Sequence, residues 1–333
     1  KYSQYIKIII IYIILKKKKK NTVKDIINEL NKSNIKYGIL RNYKNFPNIK
    51  SDLDLISNIN ISTIKILLKK IKLKYKWDFL FYDNSRSKFF SKNNKIETFY
   101  FVDFNKLLFL QIDFFRTLSL ASTPYFQIRK KESLEYFKKN VPTIPIKVTN
   151  TYYAFQIAKI LHSKDNEKIK RYKKAFLQNN LVFEKKVIFE KKIIKSLKKN
   201  LKKNNLFNFK IIIFFYKFLI LTKYYFLNFS KVYLIFFRIF ELFLLYFFCP
   251  TGFNIKISYN NISEINSYEK YFDKLKKSQI INDWKYDHEM PFFYRKIFLE
   301  RRNILIKKEK NSNKKDSIQN IFKENFIKKY IRI

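Results

Sequence analysis

Two short runs of residues decide the fold: "YGILRN" at residues 37–42 and "SDLDL" at residues 51–55. Both are apolar enough for strands, and the second carries two aspartates, Asp52 and Asp54, at alternate positions. Because residues i and i+2 of a strand point to the same face, these carboxylates lie side by side, about 6.5 Å apart along the chain. Two ionised carboxylates this close repel each other unless a positive charge lies between them.

Two interpretations of the paired aspartates follow. A hard divalent cation with oxygen ligands would relieve the repulsion, and Mg²⁺ carrying the phosphates of a nucleotide commonly occupies such sites. Alternatively, residues 51–55 form an exposed edge strand with two solvated carboxylates. A third carboxylate favours the metal, because Asp113 lies in the apolar run 107–115 and is costly to bury unless it is paired or holds a metal. If the two strands are neighbours, three carboxylates can hold two metal ions roughly 3.5–4 Å apart, as in-line phosphoryl displacement requires.

These residues are similar to those of a known group of enzymes. A strand, a tight turn, a spacer, an Asp-x-Asp pair and a third aspartate on a later strand resemble the polymerase-beta-like nucleotidyltransferase superfamily. More narrowly, "YGILRNYKNFPNIKSDLDLIS" at residues 37–57 resembles an uncharacterised bacterial group of nucleotidyltransferases with the pattern "vLRgy..lP....sDlDl". The resemblance extends over residues 22–120 and, more loosely, towards residue 200.

The resemblance implies both a reaction and the residues that carry it. A nucleotidyl group would pass from an NTP to a hydroxyl acceptor with the help of two Mg²⁺ ions. Asp52 and Asp54 would bind the metals, and Asp113 would complete the site and activate the acceptor hydroxyl. The alternative function is a catalytically inactive binding module of the same fold, associated with a membrane surface. The sequence does not identify the acceptor.

The turn after the first strand departs from the superfamily, which usually has Gly-Ser or Gly-Gly where this chain has Arg41 and Asn42. Asn tolerates the left-handed backbone that Gly normally supplies, and Arg can bind a phosphate in a bidentate manner. The expected nucleotide-binding residues are therefore Arg41, Asn42 and Ser51, with Lys164 from a following helical segment. A solvated basic face is the alternative for the lysines and arginines around Lys164.

The composition excludes several other kinds of site. Only two glycines occur, Gly38 and Gly252, so the glycine-rich loops of dinucleotide-binding and P-loop proteins are absent. The single cysteine, Cys249, excludes an intramolecular disulfide and a multi-cysteine zinc site, and it fits a reducing compartment. We therefore expect a cytoplasmic protein, either free or peripheral to the inner face of the membrane.

The net charge of +45 has two interpretations. A strongly basic chain can bind nucleic acid or an anionic membrane. However, most basic residues here are lysines, which together with Asn, Ile, Phe and Tyr have A/T-rich codons. Genome composition therefore explains much of the charge, and since specific phosphate and base recognition relies on Arg, specific nucleic-acid binding is not favoured.

The order of the elements predicts an α+β fold, a nucleotidyltransferase-type mixed sheet flanked by helices and followed by a mainly helical domain. A helix capped by Thr22 is expected first. Strands are expected over 34–40, 52–56, 77–82, 95–101 and 107–115, with a helix over 62–73 and further helices over 151–162 and 169–181. The expected units are a leading apolar and Lys-rich segment (1–20), the catalytic domain (21–120), a helical domain (121–205), aromatic-rich amphipathic helices (206–250) and a degenerate C-terminal segment (251–333).

The last two units leave alternatives open. Charged residues interrupt the apolar stretch 206–253, which favours buried helices with one basic wet edge over a helix on an anionic membrane or one spanning a bilayer. The "PTG" at 250–252 and the strand after it are similar to the start of a thymidylate-kinase-like module that some relatives carry. Residues 258–264 then lack the glycines and the lysine that bind phosphate, and from residue 307 the charged chain is expected to fray.

Overall fold

The computed structural model describes residues 2–33, 35–41, 46–49, 52–83, 96–120, 123–126, 128, 134–137, 141–160, 166–178, 188–227, 252–259, 262–291, 302–310 and 317–333. Its helices are α1 (Tyr2–Lys32), α2 (Ile61–Lys74), α3 (Ile146–Ile160), α4 (Asn166–Gln178), α5 (Ile188–Lys202), α6 (Leu206–Leu227), α7 (Ile262–Lys277) and α8 (Ile318–Lys329). Its strands are β1 (Tyr37–Ile39), β2 (Asp52–Ser57), β3 (Phe79–Asp83), β4 (Ile96–Asp103), β5 (Leu108–Phe115), β6 (Leu118–Leu120), β7 (Thr123–Phe126), β8 (Glu135–Phe137), β9 (Val141–Thr143), β10 (Phe253–Tyr259), β11 (Asp283–Tyr286), β12 (Asn303–Lys310) and β13 (Ile331–Arg332).

An eight-stranded mixed sheet with the order β13-β3-β4-β5-β2-β1-β9-β8 forms the centre of the molecule. In this sheet β2 runs parallel to β5 and β1 parallel to β9, whereas the other neighbours are antiparallel. The predicted mixed α/β architecture is confirmed, and the strands expected around Asp54 and Asp113 are present. They are also neighbours, as the metal-site hypothesis requires, because the register places Asp54 directly opposite Asp113.

One face of the sheet is covered by α1 and α2. Leu53 and Leu55 of β2 are buried on this face, in a core that also contains Ile26 of α1. Because side chains alternate along a strand, this burial leaves Asp52 and Asp54 on the opposite face. The apolar residues between the aspartates therefore fix the side of the sheet on which the carboxylates lie.

The first helix begins earlier than the sequence predicts. Thr22 lies within α1, where its hydroxyl donates to the Lys18 carbonyl at 2.9 Å and accepts from Trp77 Nε1 at 3.0 Å. The predicted N-cap at Thr22 is therefore wrong. A threonine hydroxyl inside a helix can bond the carbonyl one turn back instead of capping, and the preceding lysines are good helix formers.

Asp25 joins α1 to the end of α2. Its carboxylate accepts from Lys74 Nζ at 2.5 Å and from Tyr75 Oη at 2.8 Å. Burial by itself would raise the pKa of Asp25, but these two donors outweigh it, and its pKa lies below the ordinary value. Because the folded-state pKa is the lower one, this carboxylate stabilises the fold above about pH 4 and loses that effect as the pH falls below it.

We therefore expect Asp25→Asn to lower the free energy of unfolding by about 1 kcal/mol at pH 7, the scale of a part-exposed ion pair with one neutral hydrogen bond. The deficit should be smaller near about pH 3, which lies below the ordinary pKa of an aspartate, because the carboxylate loses its stabilising effect as the pH falls towards its lowered folded-state pKa. Urea unfolding at the two pH values measures both quantities. Glu29→Gln is the control, since it removes only an exposed pair with Lys32 on the same helix. A deficit of equal size at both pH values would contradict the role given to Asp25.

The opposite face of the sheet carries two separate cores. The first, here called the helical core, packs α3 to α6 against the strands and includes Ile56 of β2. The second, here called the C-terminal core, packs α7, α8 and β10 to β12 against β3, β4 and β5, and it includes Phe109 of β5. Asp54 and Asp113 lie between these two cores, because they precede Ile56 and follow Phe109 on the same face of their strands.

Helix α6 buries Phe209, Ile213 and Tyr216 in the helical core. The sequence predicts a basic edge on the solvent side of this helix. The structure also exposes large aromatic side chains there, because Phe207 and Phe214 are 73% and 66% exposed. The rest of the predicted aromatic-rich unit, residues 228–250, lies outside the described residues. Among the helices that are described, none is long and apolar enough to cross a membrane.

The C-terminal segment is folded where it is described, so the predicted fraying from residue 307 is wrong. A three-stranded parallel sheet has the order β10-β12-β11. After it, α8 buries Ile318, Phe322 and Phe326 at four-residue intervals, and β13 pairs with β3 of the central sheet. The prediction of fraying rested on the high charge of the segment, but the charged residues lie between apolar positions that form one face of an amphipathic helix.

Candidate metal centre

Three carboxylates meet on the central sheet between the two cores. Asp52 and Asp54 project from β2, Asp113 projects from β5, and each offers an oxygen within 4.8 Å of those of the other two. Asp54 and Asp113 are buried, whereas the Asp52 side chain is 21% exposed. The parallel register of the two strands therefore brings together the three aspartates that the sequence singled out.

The guanidinium of Arg41 lies against two of these carboxylates. Arg41 follows β1, and its Nε donates to Asp54 Oδ2 while its Nη2 donates to Asp52 Oδ2 at 2.6 Å. Its Nη1 donates to the hydroxyl of Tyr172 on α4. Burial would lower the pKa of Arg41, but Asp54 and its neighbours outweigh this, and its pKa lies well above the ordinary value. Arg41 is thus a charged group held at the acidic cluster, here defined as Asp52, Asp54 and Asp113.

Asp54 is a carboxylate whose charged form is disfavoured by its surroundings in the acidic cluster. Burial raises the pKa of Asp54 to about 7, since the favourable charge of Arg41 only partly offsets desolvation and the repulsion of Asp52 and Asp113. Its Oδ1 atom is buried, and no donor among the described residues forms a hydrogen bond with it. A buried carboxylate oxygen of this kind has ligand capacity left over.

Asp113 is held by two neutral donors. Thr98 Oγ1 on the neighbouring strand β4 donates to Asp113 Oδ1 at 2.8 Å, and Gln111 Nε2 donates to Asp113 Oδ2 at 2.8 Å. On its other side, Gln111 Oε1 accepts from Arg302 Nη1 at 2.6 Å. A chain of polar side chains therefore links the acidic cluster to the C-terminal sheet.

Lys19 of α1 adds a further charge near the cluster. Burial lowers the pKa of Lys19 to about 8, while the charge of Asp52 acts in the opposite direction. The sequence did not single out this lysine, because it is one of five consecutive lysines in the leading segment. Only the continuous helix that the structure shows brings it close enough to Asp52 for their charges to interact.

The predicted nucleotide-binding residues are only partly described. Arg41 is found at the acidic cluster, whereas Asn42, Ser51 and Lys164 lie outside the described residues. His162, two positions before Lys164, also lies outside them. Of the other basic residues considered on the following helices, Lys173 on α4 donates to Asn204 Oδ1 at 3.2 Å. The functional contacts of Gln111, Tyr172 and Arg302 were not predicted from the sequence.

The donor set of the acidic cluster fits a hard divalent cation. Carboxylate oxygens are the ligands such ions prefer, three are available, and Asp54 Oδ1 is buried without a hydrogen bond from the described residues. Arg41 balances one of the three negative charges, so a cation would meet residual negative charge there. To bind Oδ2 of Asp52 or Asp54, a metal must compete with the guanidinium.

Comparisons with known proteins identify no relative. No protein-family model matches the chain, and neither does any curated protein or solved structure.

Proposed function

We propose that the chain is a metal-dependent nucleotidyltransferase that transfers a nucleotidyl group from an NTP to a hydroxyl acceptor. One observation carries the proposal: Asp54 lies opposite Asp113 on adjacent parallel strands, with Asp52 on the same face and all three carboxylates within 4.8 Å. The resemblance of residues 37–57 to nucleotidyltransferases supports the same reaction.

Each carboxylate has a proposed role. Asp52 and Asp54 hold two Mg²⁺ ions, and Asp113 completes the site. When bound, the ions neutralise the charge of the NTP phosphates and orient them. In the transfer, the acceptor oxygen forms a bond to the α-phosphorus, the bond from that phosphorus to the bridging oxygen of pyrophosphate breaks, and Asp113 takes the hydroxyl proton. Thr98 and Gln111 keep the carboxylate of Asp113 in place for this step.

Arg41 has a proposed role as the residue that binds phosphate oxygens. Its guanidinium is always charged and can bind a phosphate through two parallel hydrogen bonds. We infer that it leaves the carboxylates when a metal–nucleotide complex replaces it as their counter-ion. Its contacts with Asp52 and Asp54 hold the cluster together.

A second candidate function is an inactive module with the same fold, and the position of Arg41 favours it. A guanidinium bonded to Asp52 and Asp54 can substitute permanently for a metal. The exposed phenylalanines of α6, including Phe207 and Phe214, would then fit peripheral contact with an anionic membrane. The two candidates differ in whether Arg41 gives way to a metal ion.

Transfer itself decides between the two candidates. We expect the purified protein with Mg²⁺ or Mn²⁺ to move label from one of the four α-³²P-labelled NTPs onto a component of a cell extract. Asp52→Asn should lose this labelling. Asp103→Asn is the control, because Asp103 is an aspartate of the same sheet that is paired with Lys18 on the face that α1 covers. The proposed nucleotidyltransferase activity is rejected if wild type produces no labelling, or if Asp52→Asn produces as much labelling as wild type.

A further inference from the structure

Arg302 is a buried cation at the boundary between the C-terminal sheet and the central sheet. It immediately precedes β12 and is only 7% exposed. Its guanidinium carbon lies 4.4 Å from the ring centroid of Phe109 and 5.0 Å from that of Tyr100. A buried guanidinium over two aromatic faces has lost its water and gains from directed contacts instead.

Arg302 forms hydrogen bonds both within the C-terminal segment and with the central sheet. Nη1 donates to Gln111 Oε1 at 2.6 Å, and Nη2 donates to the Gln279 carbonyl at 3.3 Å and to Asn282 Oδ1 at 3.4 Å. In addition, the Arg302 carbonyl accepts from the backbone N–H of Asn282 at 3.0 Å. Both its backbone and its side chain are thus held by the loop between α7 and β11 while Nη1 reaches β5.

A guanidinium dictates which way a neighbouring amide faces. Arg has donors and no acceptor, so Gln111 must present its oxygen to Arg302 and its NH₂ group to Asp113. The reversed amide would set donor against donor at Arg302 and oxygen against carboxylate oxygen at Asp113. The orientation that the guanidinium imposes is therefore the one in which Gln111 donates to the acidic cluster.

We propose that Arg302 is a positioning residue that fixes the Gln111 amide and, through it, the Asp113 carboxylate of the acidic cluster. Segment 251–333, which lacks the glycines and lysine of a phosphate loop, would thereby support the site on the central sheet. The consequence for metal binding rests on the proposed function, whereas the orientation of Gln111 does not. The two parts can be measured separately.

The orientation of Gln111 can be measured in protein labelled with ¹⁵N-glutamine. Its side-chain NH₂ signals are identified by their loss in Gln111→Met. In Arg302→Met, which keeps much of the side-chain length but has no donor, we expect these signals to shift towards those of solvent-exposed glutamines. Lys308→Met is the control, because Lys308 lies on β12, the strand that follows Arg302, and stacks on Tyr286. Unchanged Gln111 signals in a folded Arg302→Met protein would overturn the proposal.

Arg302→Gln provides a second variant if Arg302→Met does not fold. Its amide is polar and offers a donor and an acceptor equally, so it no longer dictates the orientation of Gln111. The same criterion applies: shifted Gln111 signals support the proposal and unchanged signals overturn it.

Mn²⁺ binding measures the effect on Asp113. Groups that orient a metal ligand typically change metal affinity by roughly 10–100-fold, and we expect a loss of that size in Arg302→Met but not in Lys308→Met. Shifted Gln111 signals with unchanged Mn²⁺ affinity would overturn the positioning of Asp113. If wild type binds no Mn²⁺, the proposed function fails, and the role of Arg302 is judged on the Gln111 signals alone.

Discussion

Asp54→Asn is expected to weaken Mg·ATP binding by more than about 100-fold, because groups that merely orient a ligand already contribute roughly 10–100-fold. Asp54 is the carboxylate at the centre of the acidic cluster, buried and opposite Asp113. Asparagine has nearly the same shape, so the change removes the charge and one ligand oxygen without opening a cavity. The phosphate and metal charges then meet two carboxylates instead of three.

Calorimetric titration of Mg·ATP measures this loss, with circular dichroism to show that the variant is folded. Asp103→Asn is the control, since it removes a buried carboxylate charge from the same sheet on the opposite face. It should bind Mg·ATP with the wild-type dissociation constant. Equal affinity in Asp54→Asn and wild type would remove Asp54 from the nucleotide site.

Arg41→Met is expected to strengthen the binding of the metal alone by more than it strengthens the binding of the metal–nucleotide complex. Without nucleotide, a metal that enters the wild-type cluster must break the buried ion pairs of Arg41 with Asp52 and Asp54. Breaking a buried pair costs about 3–5 kcal/mol, so removing the guanidinium should strengthen Mn²⁺ binding by roughly 100-fold or more. Met occupies a similar volume and provides no donor or charge.

With nucleotide, the gain in affinity should be smaller, because the wild-type guanidinium that leaves the carboxylates can then bind a phosphate. A charged hydrogen bond from Arg41 to a phosphate is worth roughly 1.5–3 kcal/mol, and methionine cannot replace it. Titrations of Mn²⁺ alone and of Mg·ATP distinguish the two effects, and Arg171→Met on α4 is the control for the loss of a positive charge nearby. If the affinities for Mn²⁺ and for Mg·ATP rise by the same factor, Arg41 is a substitute for a metal and not a phosphate ligand. If neither changes, Arg41 is not the counter-ion of the cluster.

The part of the site that the sequence predicts depends on local patterns. Asp52 and Asp54 follow from the two-residue period of a strand, and Asp113 follows from an aspartate in an apolar run. The core residues Leu53 and Leu55 fix the face of β2, so the relative orientation of these carboxylates is encoded within a few residues. Five strands of the central sheet, β1 to β5, are predictable for the same reason, whereas β8, β9 and β13 were not predicted.

The contacts of the arginines depend on tertiary structure and could not be predicted. Arg41 was predicted at a turn, but its bonds to Asp54 and to Tyr172 depend on how β1, β2 and α4 pack. Arg302 reaches Gln111 across 191 positions of the chain, and no local period relates the two. The continuity of α1 was not predicted either. The run of lysines in the leading segment is typical of a solvated segment, so the sequence did not indicate one helix through it.

Electron paramagnetic resonance of Mn²⁺ tests the central claim most directly, because the free ion has a strong signal that is lost on binding. Wild type, Asp54→Asn and Asp103→Asn are titrated with Mn²⁺ without ATP, because ATP would itself bind the ion and remove its signal. The proposed metal centre predicts that wild type and Asp103→Asn bind Mn²⁺ with the same affinity and that Asp54→Asn binds at least about 100-fold more weakly. Binding of Mn²⁺ by Asp54→Asn with the wild-type affinity would contradict it.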